Sequence, residues 1–282
     1  MGEGNAHGHA HVDWAVRGPE MIRGAEVVAP MVNRALEWLA GRVPGATAVL
    51  DVGSGPGVAA CTLATLLPAA KVLAVDGAGP LLDLARERAD RLGLGDRFEV
   101  RRVSLPDGLA DLPPADLVWV SGVAHHLPDP VGTLRALGRL LRPGGLLALR
   151  EGGLPHRFLP DGVAPGLLPR LEAAEQELVA AHEHPMGVHP TPRAWPELFR
   201  EAGLTPAGTR SFLLDLPAPL DEPARRHVRG WLEAAARHAG DRLPAGDAEA
   251  LDRLLDDDSP GGVLRRPDLF LLTAATVHTA TS

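Results

Sequence analysis

From about residue 46 onward, short apolar runs alternate with segments whose apolar positions recur every three to four residues. Residues 47–52, 71–75, 98–103, 116–120 and 146–149 read as strands, and 58–67, 81–94 and 131–141 as the helices between them. Gly93 and Gly95 stop the second of these helices, and Arg142-Pro143-Gly144-Gly145 closes the third. Strands separated by helices of this length need right-handed crossovers and a parallel sheet. Upstream, Met21, Ile22, Val27, Val28, Met31, Leu36, Trp38 and Leu39 follow helical spacing through residues 19–40. After residue 151 the pattern changes. A Gly- and Pro-rich stretch covers 152–169, helices are expected at 171–182, 192–202, 223–239 and 247–255, and strands at 209–214 and 268–277. These read as further strands of one sheet interrupted by helical insertions. No fixed-period repeat is visible.

Composition narrows the classes. The chain has 282 residues, with 28 Lys+Arg against 36 Asp+Glu, and 45% of its residues are hydrophobic. It can therefore bury a sizeable core, and its net charge of −8 argues against nucleic acid as a partner. The single Cys61 excludes an intramolecular disulfide and a paired-cysteine zinc site and reads as a core residue. Lys71 is the only lysine, so a Schiff-base mechanism would have one candidate, poorly placed. No apolar run reaches transmembrane length and the N-terminus lacks a signal-peptide pattern, so a cytoplasmic location with no membrane partner is expected. His7, His9 and His11 alternate with small residues and could share one face for a metal, but a solvated tail is the favoured reading and no metal site is expected.

The most informative segment is Val49-Leu50-Asp51-Val52-Gly53-Ser54-Gly55-Pro56-Gly57. An apolar strand runs into alternate glycines and then a helix, which lets the backbone turn tightly and brings helix amides to a ligand. Asp76 ends the following strand, where an acid can accept both hydroxyls of a ribose lying across the strand ends. The spacing is GxGxG, with Val58 where a dinucleotide fingerprint would carry its last glycine.

This motif, with LAVDGA, ADLVWVSGVAHHLPDP and LLRPGGLLALREGG in order, resembles the class I S-adenosylmethionine (SAM)-dependent methyltransferases of the small-molecule, bacterial type. The likeness spans roughly residues 46–151 and continues more loosely to 282. It implies an α/β, Rossmann-like three-layer sandwich with a seven-stranded, mostly parallel sheet and helical insertions near the C-terminus. The expected division is 1–45 as His-rich tail and lid helices, 46–151 as the SAM-binding core, and 152–282 as cap insertions plus the last strands of the same domain.

The resemblance also implies residue roles. Gly53, Ser54, Gly55 and Gly57 would cradle the amino-acid end of SAM. Asp51 would hold the loop or the cofactor's amino group, Asp76 the ribose diol, and Gly77 would pack beside the adenine. Ser104 and Leu105 stand where the family often has an acid followed by an apolar residue, so Ser104 leaves adenine to backbone and hydroxyl. Ser121 would lie beside the sulfonium. Trp14 and Arg17, in the segment the family uses as a lid, would face the acceptor.

His125 and His126 follow the fourth strand and suit proton removal from an acceptor; in the family the second histidine often packs and caps the next helix instead. Glu151 ends the fifth strand and either orients an acceptor or pairs with an arginine. Asp129 reads as a helix cap. Phe158, Met186, His189, Trp195 and Trp231 are candidates to line an acceptor cavity or to fill the core. The expected reaction is methyl transfer from SAM to an O, N or C atom of a small molecule by a monomer or homodimer. The alternatives are a SAM-binding protein without transfer and an NAD(P)-dependent oxidoreductase.

Overall fold

The computed structural model describes residues 14–191 and 193–282, so His7, His9 and His11 lie outside the described residues. Seven strands form one sheet: β1 (Ala48–Val52), β2 (Lys71–Asp76), β3 (Phe98–Arg102), β4 (Ala115–Ser121), β5 (Leu141–Arg157), β6 (Thr205–Leu216) and β7 (Leu271–Thr281). Their order is β3-β2-β1-β4-β5-β7-β6. β1 to β5 pair in parallel, and β7 runs antiparallel between β5 and β6. The central strands are apolar along nearly their whole length because both faces are covered.

Alternate strand residues feed two cores. Val49, Ala74, Trp119 and Ala148 pack under α1 (Trp14–Ala40), α2 (Val58–Leu66), α5 (Leu167–Ala180), α7 (Glu222–Ala239) and α8 (Ala245–Leu255). Leu50, Val75, Val120 and Leu149 pack against α4 (Pro130–Gly138) and α6 (Trp195–Glu201). Between β2 and β3 runs α3 (Gly79–Arg91). Asp129 caps α4 through the Gly132 amide at 2.8 Å, and Cys61 is buried in the first core, as expected. Among the described residues no helix is long and apolar enough to cross a membrane.

β5 departs most from the pattern. It has 17 residues where only 146–149 reads as strand, and takes in much of the stretch expected as loop. Beyond Arg150 it ladders on β7 through Gly153, Leu154 and Arg157 after a register shift. Gly153 makes that possible, because a Cβ there would lie 1.9 Å from the Ala274 carbonyl oxygen. A local hydrophobic pattern carries no record of a long-range pairing of this kind.

Candidate active site

At the carboxyl ends of the central strands the chain turns sharply. The Gly53 and Ser54 amides donate to the Val75 carbonyl at 2.8 and 2.9 Å, tying the loop after β1 to β2. The three glycines do different work. A Cβ on Gly53 would meet a Val123 methyl at 2.2 Å, and one on Gly57 would meet the Ala85 Cβ at 2.6 Å. Those two are demanded by packing inside the protein as well as by positive φ. Gly55 turns an almost open face outward, its nearest neighbour being the Met21 methyl at 3.4 Å. Of the expected cradle glycines, Gly55 has the most open face.

That face borders a cavity of about 590 Å³, within the range of small-molecule sites. Its floor is the ends of β1, β4, β5 and β7, and its roof is the stretch of α1 around Met21, Gly24 and Val28. Asp51, Gly53, Ser54, Gly55, Ser121, His125 and Glu151 all border it. Trp14 and Arg17 do not; they sit on the first turns of α1, whose Gly18 packs against Leu84 of α3. The lid residues therefore lie one to four helical turns further on, where the apolar stripe of α1 faces the sheet.

Asp51 is buried, and its carboxyl is pushed up to about 7, first by burial and then by the charge of Asp76, with a hydrogen bond from the Ala60 amide opposing. Its Oδ2 has no partner among the described residues, and neither has the buried hydroxyl of Ser54. Asp76 accepts the Gly55 amide through Oδ2 and the Ala78 amide through Oδ1, each at 2.9 Å. Asp76, Gly77, Ser104 and Leu105 lie outside the lining of the cavity, on the β2–β3 side of the loop. Gly57 too lies behind the loop, under α3.

Across the cavity His125 and Glu151 form a pair. His125 Nδ1 lies 2.7 Å from Glu151 Oε2, while Oε1 accepts the Val123 and Ala124 amides at 3.1 and 3.0 Å. Glu151 is buried and its oxygens are committed, so it positions His125 and the chain before it instead of meeting an acceptor. A carboxylate on Nδ1 requires the proton there, which leaves Nε2 as a free acceptor. His126 is turned away from the cavity toward the carbonyls of Met186 and Gly187. Burial, and then the neighbouring His125, lower its pKa. Ser121 ends β4 beside Arg150 of β5.

The other candidates for an acceptor cavity do not line this one. Phe158 and Trp195 are core, Met186 is exposed, and His189 holds the His125 carbonyl through its amide at 2.7 Å. Trp231 lines a second cavity of about 520 Å³ beneath α5. Sequence reasoning missed Arg150, His156, His227 and the α1 lining. Only Arg150 carried a signal, the strand-end position it shares with Glu151. It also missed Glu175, His184 and His238, whose ligand atoms lie within 4.8 Å of one another. There the Met186 amide donates to His184 Nδ1 at 3.2 Å, which puts the His184 proton on Nε2, facing Glu175 at 3.1 Å. That arrangement is a hydrogen-bonded clamp between α5, α7 and the loop after α5.

The sheet order with its antiparallel last pair and the glycine turn after β1 define a class I methyltransferase fold. Residues 50–147 match the family model described as a methyltransferase domain. Over 120 residues it is 35% identical to trans-aconitate 2-methyltransferase of Azoarcus sp. (strain BH72), covering 42% of this chain and 45% of that protein. Over 117 residues it is 38% identical to a ubiquinone biosynthesis O-methyltransferase of Xanthomonas campestris, covering 40% and 47%. In such alignments the chain spans about half the length of the curated relatives. The fold is shared with the YcgJ protein of Bacillus subtilis, at TM-score 0.51 and 17% identity over 88% of this chain and 98% of that one. An O-methyltransferase family protein from Burkholderia thailandensis gives TM-score 0.51 and 22% identity over 70% and 59%.

The residues present fit SAM. Its ammonium group would meet the orphaned Oδ2 of Asp51, its amino-acid end the open face of Gly55 and the Ser54 hydroxyl, and its ribose the Asp76 side.

Proposed function

We propose that this protein transfers a methyl group from SAM to an O, N or C atom of a small molecule, releasing S-adenosylhomocysteine. One observation carries the reading: a single cavity has on one wall a buried carboxyl, Asp51, whose Oδ2 has no partner among the described residues, and on another a carboxylate-oriented imidazole, His125. Trans-aconitate and ubiquinone-precursor chemistry in the relatives' names supports a small acceptor.

SAM, when bound, supplies an electrophilic methyl group on a sulfonium. The protein's part is alignment, dehydration and proton handling. Asp51 and the Gly53–Gly57 loop hold the cationic end of the cofactor. The α1 roof excludes water. His125 Nε2 takes the proton of a hydroxyl or amine acceptor while Glu151 stabilises the imidazolium through Nδ1. Ser121 and Gly122 leave the end of β4 unobstructed by bulk.

The test is calorimetric titration with SAM, S-adenosylhomocysteine and NADH on wild type and Asp76→Ala, followed by an S-adenosylhomocysteine release assay over an acceptor panel. Micromolar binding of the two SAM-type ligands, weakened in the variant, with turnover of at least one acceptor, is the expected result. A preference for NADH would refute the reading; binding with no turnover across the panel would favour a SAM-binding protein without transfer.

A further inference from the structure

Arg150 ends the parallel part of β5, beside Ser121 of β4 in the register, and its side chain borders the cavity. Among the described residues no carboxylate lies within ion-pair distance of it. Its neighbour Glu151 is committed to His125 and to the Val123 and Ala124 amides. Burial makes the guanidinium easier to deprotonate, Glu151 partly offsetting this, yet an arginine in a protein keeps its charge. The cavity wall therefore carries a fixed cation that no carboxylate among the described residues neutralises at ion-pair range. Such a group gains most from a planar anion that can take two parallel N–H bonds.

Further along the same wall stand His156 of β5 and His227 of α7, with ring centroids 5.7 Å apart. Burial, and then the neighbouring His227, hold the pKa of His156 down at about 4; burial alone lowers that of His227. Both imidazoles are neutral at physiological pH, and the buried Nε2 of each has no partner among the described residues. His156 is fixed by stacking on Trp231 at 5.5 Å. Buried polar atoms left unpaired are costly, so their retention on a cavity wall points to a ligand that satisfies them. The unmet groups thus define a molecule with one anionic group and an uncharged polar group. With Asp51 and Glu151 on the same cavity, Arg150, the one arginine or lysine among its described lining residues, matches a monoanion better than a phosphate dianion.

We propose that the methyl acceptor is a small-molecule carboxylate, its carboxylate gripped by Arg150 and its uncharged polar end read by His156 and His227. The inference rests on the methyltransferase reading of the cavity. Position assigns the anion to the acceptor: Asp51 and Asp76, the cofactor-side acids, lie on β1 and β2, and Arg150 lies on β5, across β4 from them.

The experiment compares wild type, Arg150→Met and Arg150→Lys. Calorimetry measures S-adenosylhomocysteine and 5′-methylthioadenosine, which lacks the cofactor's carboxylate. Thermal shift in saturating S-adenosylhomocysteine then screens benzoate, 4-hydroxybenzoate, phenylacetate, cinnamate and hexanoate against their amides. Expected are acids that bind wild type at least tenfold tighter than their amides, lose that advantage in Arg150→Met and keep part of it in Arg150→Lys. S-adenosylhomocysteine affinity should stay within twofold in both variants, which also reports that they fold. The proposal is overturned if no acid outbinds its amide on wild type, or if acids bind Arg150→Met as well as wild type. It is equally overturned if Arg150→Met weakens S-adenosylhomocysteine tenfold and spares methylthioadenosine, since Arg150 would then hold the cofactor's own carboxylate. Failure of wild type to bind S-adenosylhomocysteine at all would instead strike the methyltransferase reading itself.

Discussion

His125 Nδ1 sits 2.7 Å from Glu151 Oε2, and the other oxygen of the same carboxylate accepts the amides of Val123 and Ala124. One buried acid thus fixes both the ring of the candidate base and the backbone that carries it. His125→Ala should lower kcat by about 10²–10⁴-fold with S-adenosylhomocysteine affinity unchanged. In Glu151→Gln the side-chain amide can donate to Nδ1, which moves the imidazole proton to Nε2 and removes the base, so kcat should fall comparably with little loss of stability. Glu151→Ala leaves two amides without an acceptor and should cost about 2–4 kcal/mol in urea unfolding. Normal turnover by Glu151→Gln would discard the positioning role.

Asp51 carries the clearest pH signature. Its carboxyl titrates near 7 in the folded chain and near 3.8 when unfolded. Between those values the folded state holds a proton that the unfolded state has released, so stability falls as pH rises through this window and the penalty is complete above about 7. Asp51→Asn should therefore be more stable than wild type at pH 8, by on the order of 2–4 kcal/mol, and show no such advantage below pH 3.8. A cationic ligand prefers the carboxylate form, so S-adenosylhomocysteine affinity should weaken as pH drops below about 7 and be largely lost in the variant. A flat affinity profile from pH 8 to 6 would contradict this.

The glycines of the loop should separate by function. Gly57→Ala forces a Cβ to 2.6 Å from that of Ala85, and Gly53→Ala forces one to 2.2 Å from a Val123 methyl, both at φ +73°. Each should cost about 2–4 kcal/mol of stability. Gly55→Ala meets only the flexible Met21 methyl and should cost about 1 kcal/mol for its positive φ, but weaken S-adenosylhomocysteine by tenfold or more. Thermal denaturation and calorimetry on the three variants check the order.

Asp116 clasps the start of β1 from β4. It accepts the Thr47 and Ala48 amides at 2.7 and 2.9 Å and an Arg142 N–H at 3.0 Å. Burial works against its charge, but the Thr47 and Ala48 hydrogen bonds, helped by Arg142, outweigh it and hold the carboxyl below its ordinary value. The stabilisation is present above pH 3.8 and lost as pH falls through the lower folded value. Asp116→Ala should cost about 1–3 kcal/mol at pH 7, with the gap to wild type closing in strong acid. A gap that persists undiminished at pH 2 would assign the effect to packing.

The core pattern was legible because each of its signals is local. Residues 49–57 carry strand, turn and helix in one unbroken stretch, and Asp76 is a strand-end acid that needs only its own strand to be recognised. What that stretch does not reveal is which glycine faces a ligand: Gly53 and Gly57 owe their necessity to Val123 and Ala85, distant residues packed against them. The role of Glu151 was ambiguous for the same reason, since the amides that claim it come from the end of another strand. Trp14 and Arg17 carry the right chemistry for a lid on the right helix, but the cavity meets that helix further along.

The sequence by itself determined the alternation of strands and helices, the glycine turn with its two acids, and hence the fold class, because these depend on periodicity and backbone conformation within short windows. The tertiary structure decided the rest of the cavity. The extension of β5 through Gly153, the roof of α1 and the meeting of Arg150, His156 and His227 on one cavity wall arise from contacts between segments far apart in the chain, and burial there leaves His156 Nε2 and His227 Nε2 without partners among the described residues.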